Sequence, residues 1–241
     1  MPARRFLTAE WRYLAMLNYE VAPSLLLQHI PAGCELDSWD GRALMSVVGF
    51  RFLSTRVLGI AIPFHRDFEE VNLRFYVRRR HEDSWRRGVV FIKEMVPRHA
   101  IAWVARRVYG ENYVARPMRH AIRGLESGSG SASYEWRHSG AWEGMRVSVS
   151  GPSAVPEEES EESFITEHYW GYTRQADGGT VEYQVEHPRW RVWRATGASL
   201  ECNARALYGA AFSEALSRPP RSAFLAEGSA VTVRQGQRLR L

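Results

Sequence analysis

The residues best suited to do chemistry lie in the stretch HRDFEEVNLRFYV, at positions 65–77. Read as a β-strand, the stretch places alternate side chains on opposite faces, and residues on one face repeat every 6.5 to 7 Å or so. One face is apolar. The other would present a carboxylate, an amide, a guanidinium and a phenol in a row, from Glu70, Asn72, Arg74 and Tyr76.

Such a row fits a site for a small organic acid. Arg74 would bind the carboxylate of the ligand, and Glu70 would exchange protons with it. The alternative is a half-solvated antiparallel strand, whose polar face needs no function. Phe68 lies on the same face, and charges of opposite sign alternate there. Both features favour a face that lines a cavity over one that meets water.

Two histidines and a tyrosine further along the chain are additional candidates. His168 and Tyr169 occur in TEHYWGY, where His168 is a second acid–base candidate and Tyr169 a ligand-binding candidate. A single histidine beside Phe and Ile is, however, also typical of a hydrogen-bonded packing residue. His187 precedes Pro188 and is interpreted as structural, at a bend in a strand.

Several catalytic motifs do not occur in the sequence. It contains no GxGxxG, P-loop, GxSxG or HExxH pattern, and its eight histidines show no metal-ligand spacing. We therefore expect no cofactor, no metal and no nucleotide-dependent reaction.

Composition and charge are those of an ordinary globular protein. The 241 residues are 45% hydrophobic and carry a net charge of +5, with 31 arginines but only one lysine, Lys93. We expect a single domain spanning residues 1–241. Cys34 and Cys202 are isolated, which indicates reduced thiols and a cytoplasmic location. Charged residues interrupt the apolar amino-terminal stretch, so neither a signal peptide nor a membrane span is expected.

The order of elements predicts an α+β fold built on a mostly antiparallel, strongly curved β-sheet with a few helices. Strands are expected at 40–53, 65–77 and 88–96, the last two joined as a hairpin around the HEDS tip. Further strands are expected at 131–138, at 144–151 and at 179–193, the last of them broken at Pro188. Helices are expected at 23–31, 97–110, from Pro156 through Tyr169, and at 199–216. A terminal hairpin is expected at 223–235.

Four stretches in this order, at 18–50, 68–77, 165–172 and 185–192, give the sequence a family resemblance. It resembles the uncharacterised YqjF-like domain family, which is grouped structurally with acetoacetate decarboxylase. The resemblance covers roughly residues 10–235. It implies a β-sheet folded into a cone or barrel around a central pocket, and a protein that forms homo-oligomers.

The resemblance supports the pocket better than it supports the decarboxylase reaction. The enzyme forms a Schiff base on a lysine that follows a helix. The aromatic-x-Glu pattern around one of its glutamates is matched at 68–70, so Glu70 carries over. The stretch that corresponds to the lysine, ENYVARPM, contains no lysine, and Lys93 lies a whole helix upstream.

Three functions follow from these residues. The first is noncovalent binding of a small, anionic organic molecule. The second is a lyase or hydrolase that uses Glu70 as acid or base, with His168 as a possible partner and Arg74 as the carboxylate clamp. The third is nucleic-acid binding by the arginine-rich hairpin tip at 78–87, with Trp85 stacking on a base. Glu82 and Asp83 within that tip disfavour the third, so no nucleic-acid partner is expected.

Overall fold

Long antiparallel strands make up most of the chain. The computed structural model describes residues 3–63, 65–98 and 112–240. The strands are β1 Arg5–Val21, β2 Glu35–Leu36, β3 Ala43–Val57, β4 Phe68–His81, β5 Ser84–Val96, β6 Tyr113–Ala115, β7 Met118–Arg123, β8 Ser129–His138, β9 Ala141–Ser150, β10 Trp170–Arg174, β11 Thr180–Glu186, β12 Val192–Glu201, β13 Ser222–Arg234 and β14 Gln237–Arg238. The helices are short: α1 Pro23–Leu27, α2 Glu161–Thr166, α3 Ala204–Tyr208 and α4 Ala210–Leu216.

Seven of these strands close into a barrel. Their order is β11-β10-β5-β4-β3-β1-β13, and β13 pairs again with β11 through Val185↔Val233 and Glu186↔Thr232. Closure pairs the strand edges that an open sheet would expose. Within the barrel only β5 and β10 run parallel to each other. The predicted curved, mostly antiparallel sheet is confirmed.

Four of the other strands form a second layer outside the barrel, whereas β2, β6 and β14 pair with the barrel strands β4, β5 and β11. β12, β9, β8 and β7 continue the sheet from β13. They pack with α3 and α4 in the larger apolar cluster of the protein. On this side of the barrel the second layer covers the outer face of the wall and excludes water from it. Both faces of the wall are therefore buried, which explains why several of its strands are apolar on both sides.

The alternation predicted for β4 is confirmed by its packing. Val71, Leu73, Phe75 and Val77 all belong to the outer cluster. Phe68 and Tyr76 belong to a separate cluster on the opposite face of the strand. That opposite face is the barrel interior, so the polar residues between Phe68 and Tyr76 also point inward.

The predicted terminal hairpin at 223–235 is wrong, because β13 runs straight through it. Within this stretch Gly228 has φ +78°, and a Cβ there would lie 1.9 Å from the carbonyl oxygen of Trp11. Glycine thus allows a close approach of β13 to β1 without reversing the chain. The result is one long strand that pairs with β1 from Arg5 to Asn18.

The helix predicted at 23–31 is present but shorter, at Pro23–Leu27, and the other helix predictions also need correction. The helix predicted from Pro156 begins only at Glu161, where the Ser160 hydroxyl caps the Ser163 amide at 3.1 Å, and it ends before His168 and Tyr169. The helix predicted at 199–216 begins after β12 and is divided at Gly209. The one predicted at 97–110 falls almost entirely outside the described residues.

Two further findings concern the thiols and the helices. Cys34 and Cys202 are free, and burial raises the pKa of each thiol to about 12. No helix within the described ranges has the length and apolar character that a membrane span needs.

Candidate functional site

The barrel encloses a cavity of about 180 Å³. Every barrel strand contributes to its lining, and most of the lining is apolar or aromatic, as is usual for small-molecule sites. One residue from each strand in turn is Trp11, Phe52, Arg74, Phe91, Trp170, Tyr183 and Val233. Ile62, in the segment between β3 and β4, also lines it and is 40% exposed, so the cavity reaches the surface there.

Five rings form a continuous aromatic wall in the cavity. Phe52 stacks on Phe68 with ring centroids 4.5 Å apart and meets Phe50 at 5.2 Å. Trp11 makes edge contacts with Phe50 at 5.3 Å and with Trp190 at 6.4 Å. We call these five residues the aromatic wall. Their mutual contacts fix the rings, which gives the wall a defined shape.

Glu70 and Asn72 form a hydrogen-bonded unit on the cavity side of β4. The Asn72 side-chain amide donates to Glu70 Oε1 at 2.9 Å, and the Tyr113 hydroxyl donates to Glu70 Oε2 at 3.1 Å. Glu70 is 3% and Asn72 is 2% exposed. Tyr113 lies in ENYVARPM, the stretch that corresponds, by the family resemblance, to the lysine-containing stretch of the decarboxylase. A tyrosine thus contributes to the cavity from that stretch.

Arg74 is a buried cation with weak contacts. It lines the cavity, is 9% exposed, and has no carboxylate oxygen within 4.0 Å among the described residues. Its Nη2 donates to the Ile165 carbonyl at 3.4 Å and approaches Met16 Sδ at 4.0 Å. The guanidinium also lies over the Tyr76 ring, 5.7 Å from its centroid. These contacts leave the positive charge without an anion from the described chain.

His168 lies near Arg74 at the inner end of the cavity. Its Nε2 donates to Asp37 Oδ2 at 3.2 Å, and Asp37 also pairs with Arg87 at 2.7 Å. Burial is the main cause that lowers the pKa of His168 to about 4, and the charges of Arg87 and Arg74 add to it, while Asp37 opposes it. His168 is therefore neutral near pH 7. Its Nδ1 has no hydrogen-bond partner in the described part of the chain.

Not all of the predicted site residues line the cavity. Phe68, Glu70, Asn72, Arg74 and His168 do. Tyr76 is not among the lining residues, and its hydroxyl lies 2.6 Å from the Ser46 hydroxyl in a buried contact between β3 and β4. Tyr169 is not among the lining residues either, and its phenol donates to Glu167 at 2.5 Å.

His187, which the sequence indicated as structural, lines the cavity and stacks on Trp190 with centroids 4.1 Å apart. Its Nδ1 lies 2.9 Å from the Pro188 carbonyl, which fits the predicted bend. Burial lowers the pKa of His187 to about 4.

A β-bulge decides which charged residue of β5 enters the cavity. Val89 and Phe91 line it, and strict alternation would place Lys93 beside them. The β4–β5 register shifts between Leu73 and Arg74, which leaves Ile92 as an extra residue. As a result Glu94 lines the cavity, and Lys93 instead donates to the backbone carbonyl of Leu207. Sequence reasoning missed Glu94, although a carboxylate in the apolar run GVVFIKEMV signals a special environment.

The arginine-rich hairpin tip uses most of its charge internally. Four of its five arginines are paired with carboxylates, and Arg80 lies over Trp85, 5.4 Å from the ring centroid. The pairs are Arg78–Glu35 at 2.7 Å, Arg79–Glu182 at 2.7 Å, Arg86–Glu182 at 2.5 Å and Arg87–Asp37 at 2.7 Å.

Among the described residues no group of three His, Cys, Asp or Glu side chains is arranged to hold a metal ion.

The closed barrel places the protein in the acetoacetate decarboxylase-like class of folds. Acetoacetate decarboxylase from Legionella pneumophila has 14% identity and a TM-score of 0.69 over 98% of this chain and 88% of its own. The enduracididine biosynthesis enzyme MppR, complexed with pyruvate, has 13% identity and a TM-score of 0.68 over 100% and 92%. An acetoacetate decarboxylase-like enzyme from Sphingomonas wittichii RW1 has 13% identity and a TM-score of 0.64 over 98% and 94%.

Within that class the chain belongs to the DUF2071 family of uncharacterized conserved proteins, which it matches over residues 8–230. No curated protein matches the sequence. At these low identities the solved structures establish the fold and not the reaction.

Proposed function

We propose that the protein binds a small organic anion in the barrel cavity, with Arg74 as its cationic partner. The observation that carries the proposal is the buried guanidinium, which lines the cavity without a carboxylate within 4.0 Å in the described chain. A buried charge is strongly unfavourable unless an opposite charge accompanies it. A ligand carboxylate would supply that charge, and bidentate pairing with the guanidinium would orient it.

The proposed binding is noncovalent. Lys93 is the only lysine of the sequence, and its amine contacts the Leu207 carbonyl on the side of the barrel wall away from the cavity. Burial, and secondarily the charge of Arg116, lower its pKa. Borohydride trapping with a panel of β-keto acids is expected to leave the mass of the protein unchanged. A reproducible adduct on Lys93 would show that a Schiff base forms after all.

The central test is the effect of carboxylates on the melting temperature of the wild-type protein and of Arg74→Met. We expect a carboxylate library to raise the melting temperature of the wild type, since ligands stabilise the state they bind. The same compounds should have at least about tenfold lower affinity for the variant, because loss of a buried charged partner costs about 2 kcal/mol or more. Methionine is chosen because it keeps the apolar part of the arginine side chain.

Arg78→Met is the matched control for this test. Arg78 lies on the same strand, four residues from Arg74, but its side chain is 40% exposed and pairs with Glu35. The control should keep the ligand response of the wild type. Equal responses of all three proteins to every carboxylate would rule out Arg74 as the anion partner.

Acid–base catalysis by Glu70 and His168 is the second candidate, of lyase or hydrolase type. It is favoured by the Asp37–His168 hydrogen bond, which fixes the tautomer of the imidazole and leaves Nδ1 as the acceptor. The lowered pKa of about 4 makes His168 a weak base near pH 7, which favours binding over catalysis. Glu70→Gln separates the candidates: a binding protein keeps measurable affinity, whereas an enzyme still binds but loses turnover.

Three broader features belong to the same proposal. We propose one domain over residues 1–241, which fits a sheet that continues from the barrel into the second layer. A cytoplasmic location is supported by the free cysteines, and homo-oligomers are proposed from the family resemblance. We propose no nucleic-acid partner, because the carboxylates at the hairpin tip already neutralise most of its arginines.

A further inference from the structure

The aromatic wall and Arg74 occupy different positions along the cavity. Strand pairing gives the order: Phe52 faces Phe68, Phe50 faces Glu70, and Ser46 faces Arg74. Phe68 and Arg74 are six residues apart, which is about 20 Å along a strand. The exposed Ile62 precedes Phe68, so the aromatic wall lies toward the opening and Arg74 lies deeper.

The volume of the cavity sets the size of the ligand. A cavity of about 150 Å³ lined by apolar side chains holds one benzene molecule. The volume here, about 180 Å³, is only slightly larger, so a ligand with one ring and a short acidic arm fits when its ring extends toward the opening at Ile62. Acetate or pyruvate would fill only part of it and would leave the aromatic wall without contacts.

The spacing between the wall and the cation limits the arm. Phe50 is opposite Glu70, four residues from Arg74, which corresponds to about 13 Å between Cα positions. The long arginine side chain covers part of that distance. In a ligand that places its ring against the wall and its carboxylate at the guanidinium, the arm between the two is then roughly two or three methylene groups long. This length follows from the strand spacing alone.

We infer that the ligand of this cavity is an arylalkyl carboxylate, bound with its carboxylate at Arg74 and its ring against the aromatic wall. This inference rests on the proposed function, because it takes Arg74 as the anion partner. It adds the class of ligand and the direction in which the ligand enters: carboxylate first, ring last. Burial of the ring supplies most of the affinity, and the ion pair supplies the selectivity for acids.

The test compares four compounds on the purified protein: phenylpropanoate, its amide phenylpropanamide, acetate and pyruvate. Affinities come from melting temperatures measured over a range of ligand concentrations. Phenylpropanoate should bind at least about tenfold more tightly than acetate or pyruvate, because it buries an additional ring. It should also bind at least about tenfold more tightly than the uncharged amide, because only the acid pairs with the guanidinium.

Phe52→Leu and Phe75→Leu form the matched pair of variants. Phe52 belongs to the aromatic wall, whereas Phe75 is fully buried on the outer face of β4, in the other apolar cluster. Phe52→Leu should weaken phenylpropanoate about fivefold and leave the affinity for acetate unchanged, because a single ring contact is lost. Phe75→Leu should change neither affinity. The wild-type series needs no variant, so it decides the question even if either substitution impairs folding.

The outcomes distinguish the two proposals. If acetate or pyruvate binds as tightly as phenylpropanoate and Arg74→Met abolishes that binding, the arylalkyl inference is wrong and the anion site stands. If the amide binds as well as the acid and Arg74→Met changes neither, the anion site itself is wrong. An equal loss of phenylpropanoate affinity in Phe52→Leu and Phe75→Leu would also overturn the inference, because the loss would then not depend on the wall.

Discussion

The two ends of the β4–β5 hairpin accommodate arginine in opposite ways. At the tip, Arg79 and Arg86 share the carboxylate of Glu182, whose side chain is only 7% exposed. Inside the barrel, Arg74 is buried more deeply than either of them, yet no carboxylate of the described residues lies within 4.0 Å. On the same strand, β4, one arginine is thus paired with a carboxylate of the protein, and another has no such partner among the described residues.

Under the proposed function, the charges at the tip serve the fold and the charge of Arg74 serves a ligand. At the tip both members of each ion pair belong to the protein, so the pairs contribute to the stability of the fold. In the barrel the cation is unfavourable for the empty protein and becomes favourable only when an anion joins it. Substitutions at the two ends should therefore change the free energy of unfolding of the empty protein in opposite directions. Stability measurements can detect this difference.

Removal of the shared carboxylate at the tip should have the largest effect. Glu182→Gln leaves Arg79 and Arg86 partly buried without their anion, and we expect the free energy of unfolding to fall by about 2 to 4 kcal/mol. Urea denaturation followed by circular dichroism measures it. Glu186→Gln is the matched control, because Glu186 lies on the same strand and pairs with Arg234 but its side chain is 38% exposed. Its loss should be under about 1 kcal/mol. Equal losses in the two variants would mean that the shared carboxylate of Glu182 stabilises the protein no more than the half-exposed ion pair of Glu186 does.

The link between the two ends should give the protein an acid-sensitive stability. Asp37 pairs with Arg87 from the tip and accepts from His168 in the barrel. The pKa of His168 is lowered from 6.5 to about 4. Between these pH values the unfolded chain binds a proton that the folded protein excludes, so stability decreases as the pH falls from about 6.5 to about 4.

For His168 alone the expected slope is about 1.4 kcal/mol per pH unit within that window. His187, whose pKa is also about 4, should contribute similarly. His168→Gln should therefore flatten the dependence of unfolding free energy on pH by about half between pH 4.5 and 6 or so. Urea denaturation at half-unit steps of pH measures the slope. An unchanged slope in His168→Gln would show that His168 is protonated in the folded protein.

The sequence predicted the inner face of β4 correctly because alternation is a local property. Phe68 and Tyr76 pack on one side and Leu73 and Phe75 on the other, as the period of two requires. The curved, mostly antiparallel sheet followed from the same kind of pattern. What local pattern does not give is the partner of each inward side chain, because partners come from other parts of the chain.

Three particular residues show where sequence reasoning fails. Asp37 lies 131 positions from His168, so its contact depends on the complete fold. Glu94 enters the cavity only because of the bulge at Ile92, and a bulge has no reliable signal in a single sequence. A hairpin was predicted at 223–235, yet Gly228 within it serves a close approach of two strands. In each case the outcome depends on tertiary contacts that the local sequence pattern does not encode.

The smallest of these effects, and the one that depends most directly on the comparison, is the stability of the empty Arg74→Met protein. Removing an unpaired buried cation relieves an unfavourable charge, so we expect the free energy of unfolding to rise by about 1 kcal/mol when no ligand is present. Arg78→Met removes an exposed, paired arginine and should change it by less than about 0.5 kcal/mol in either direction. Urea denaturation in a buffer without carboxylates or phosphate measures both. Saturating carboxylate should then reverse the order, because only the wild type gains from the ligand. A fall of 2 kcal/mol or so in the empty variant would mean that Arg74 already has an anionic partner in the chain, and the contrast between the two ends of the hairpin would disappear.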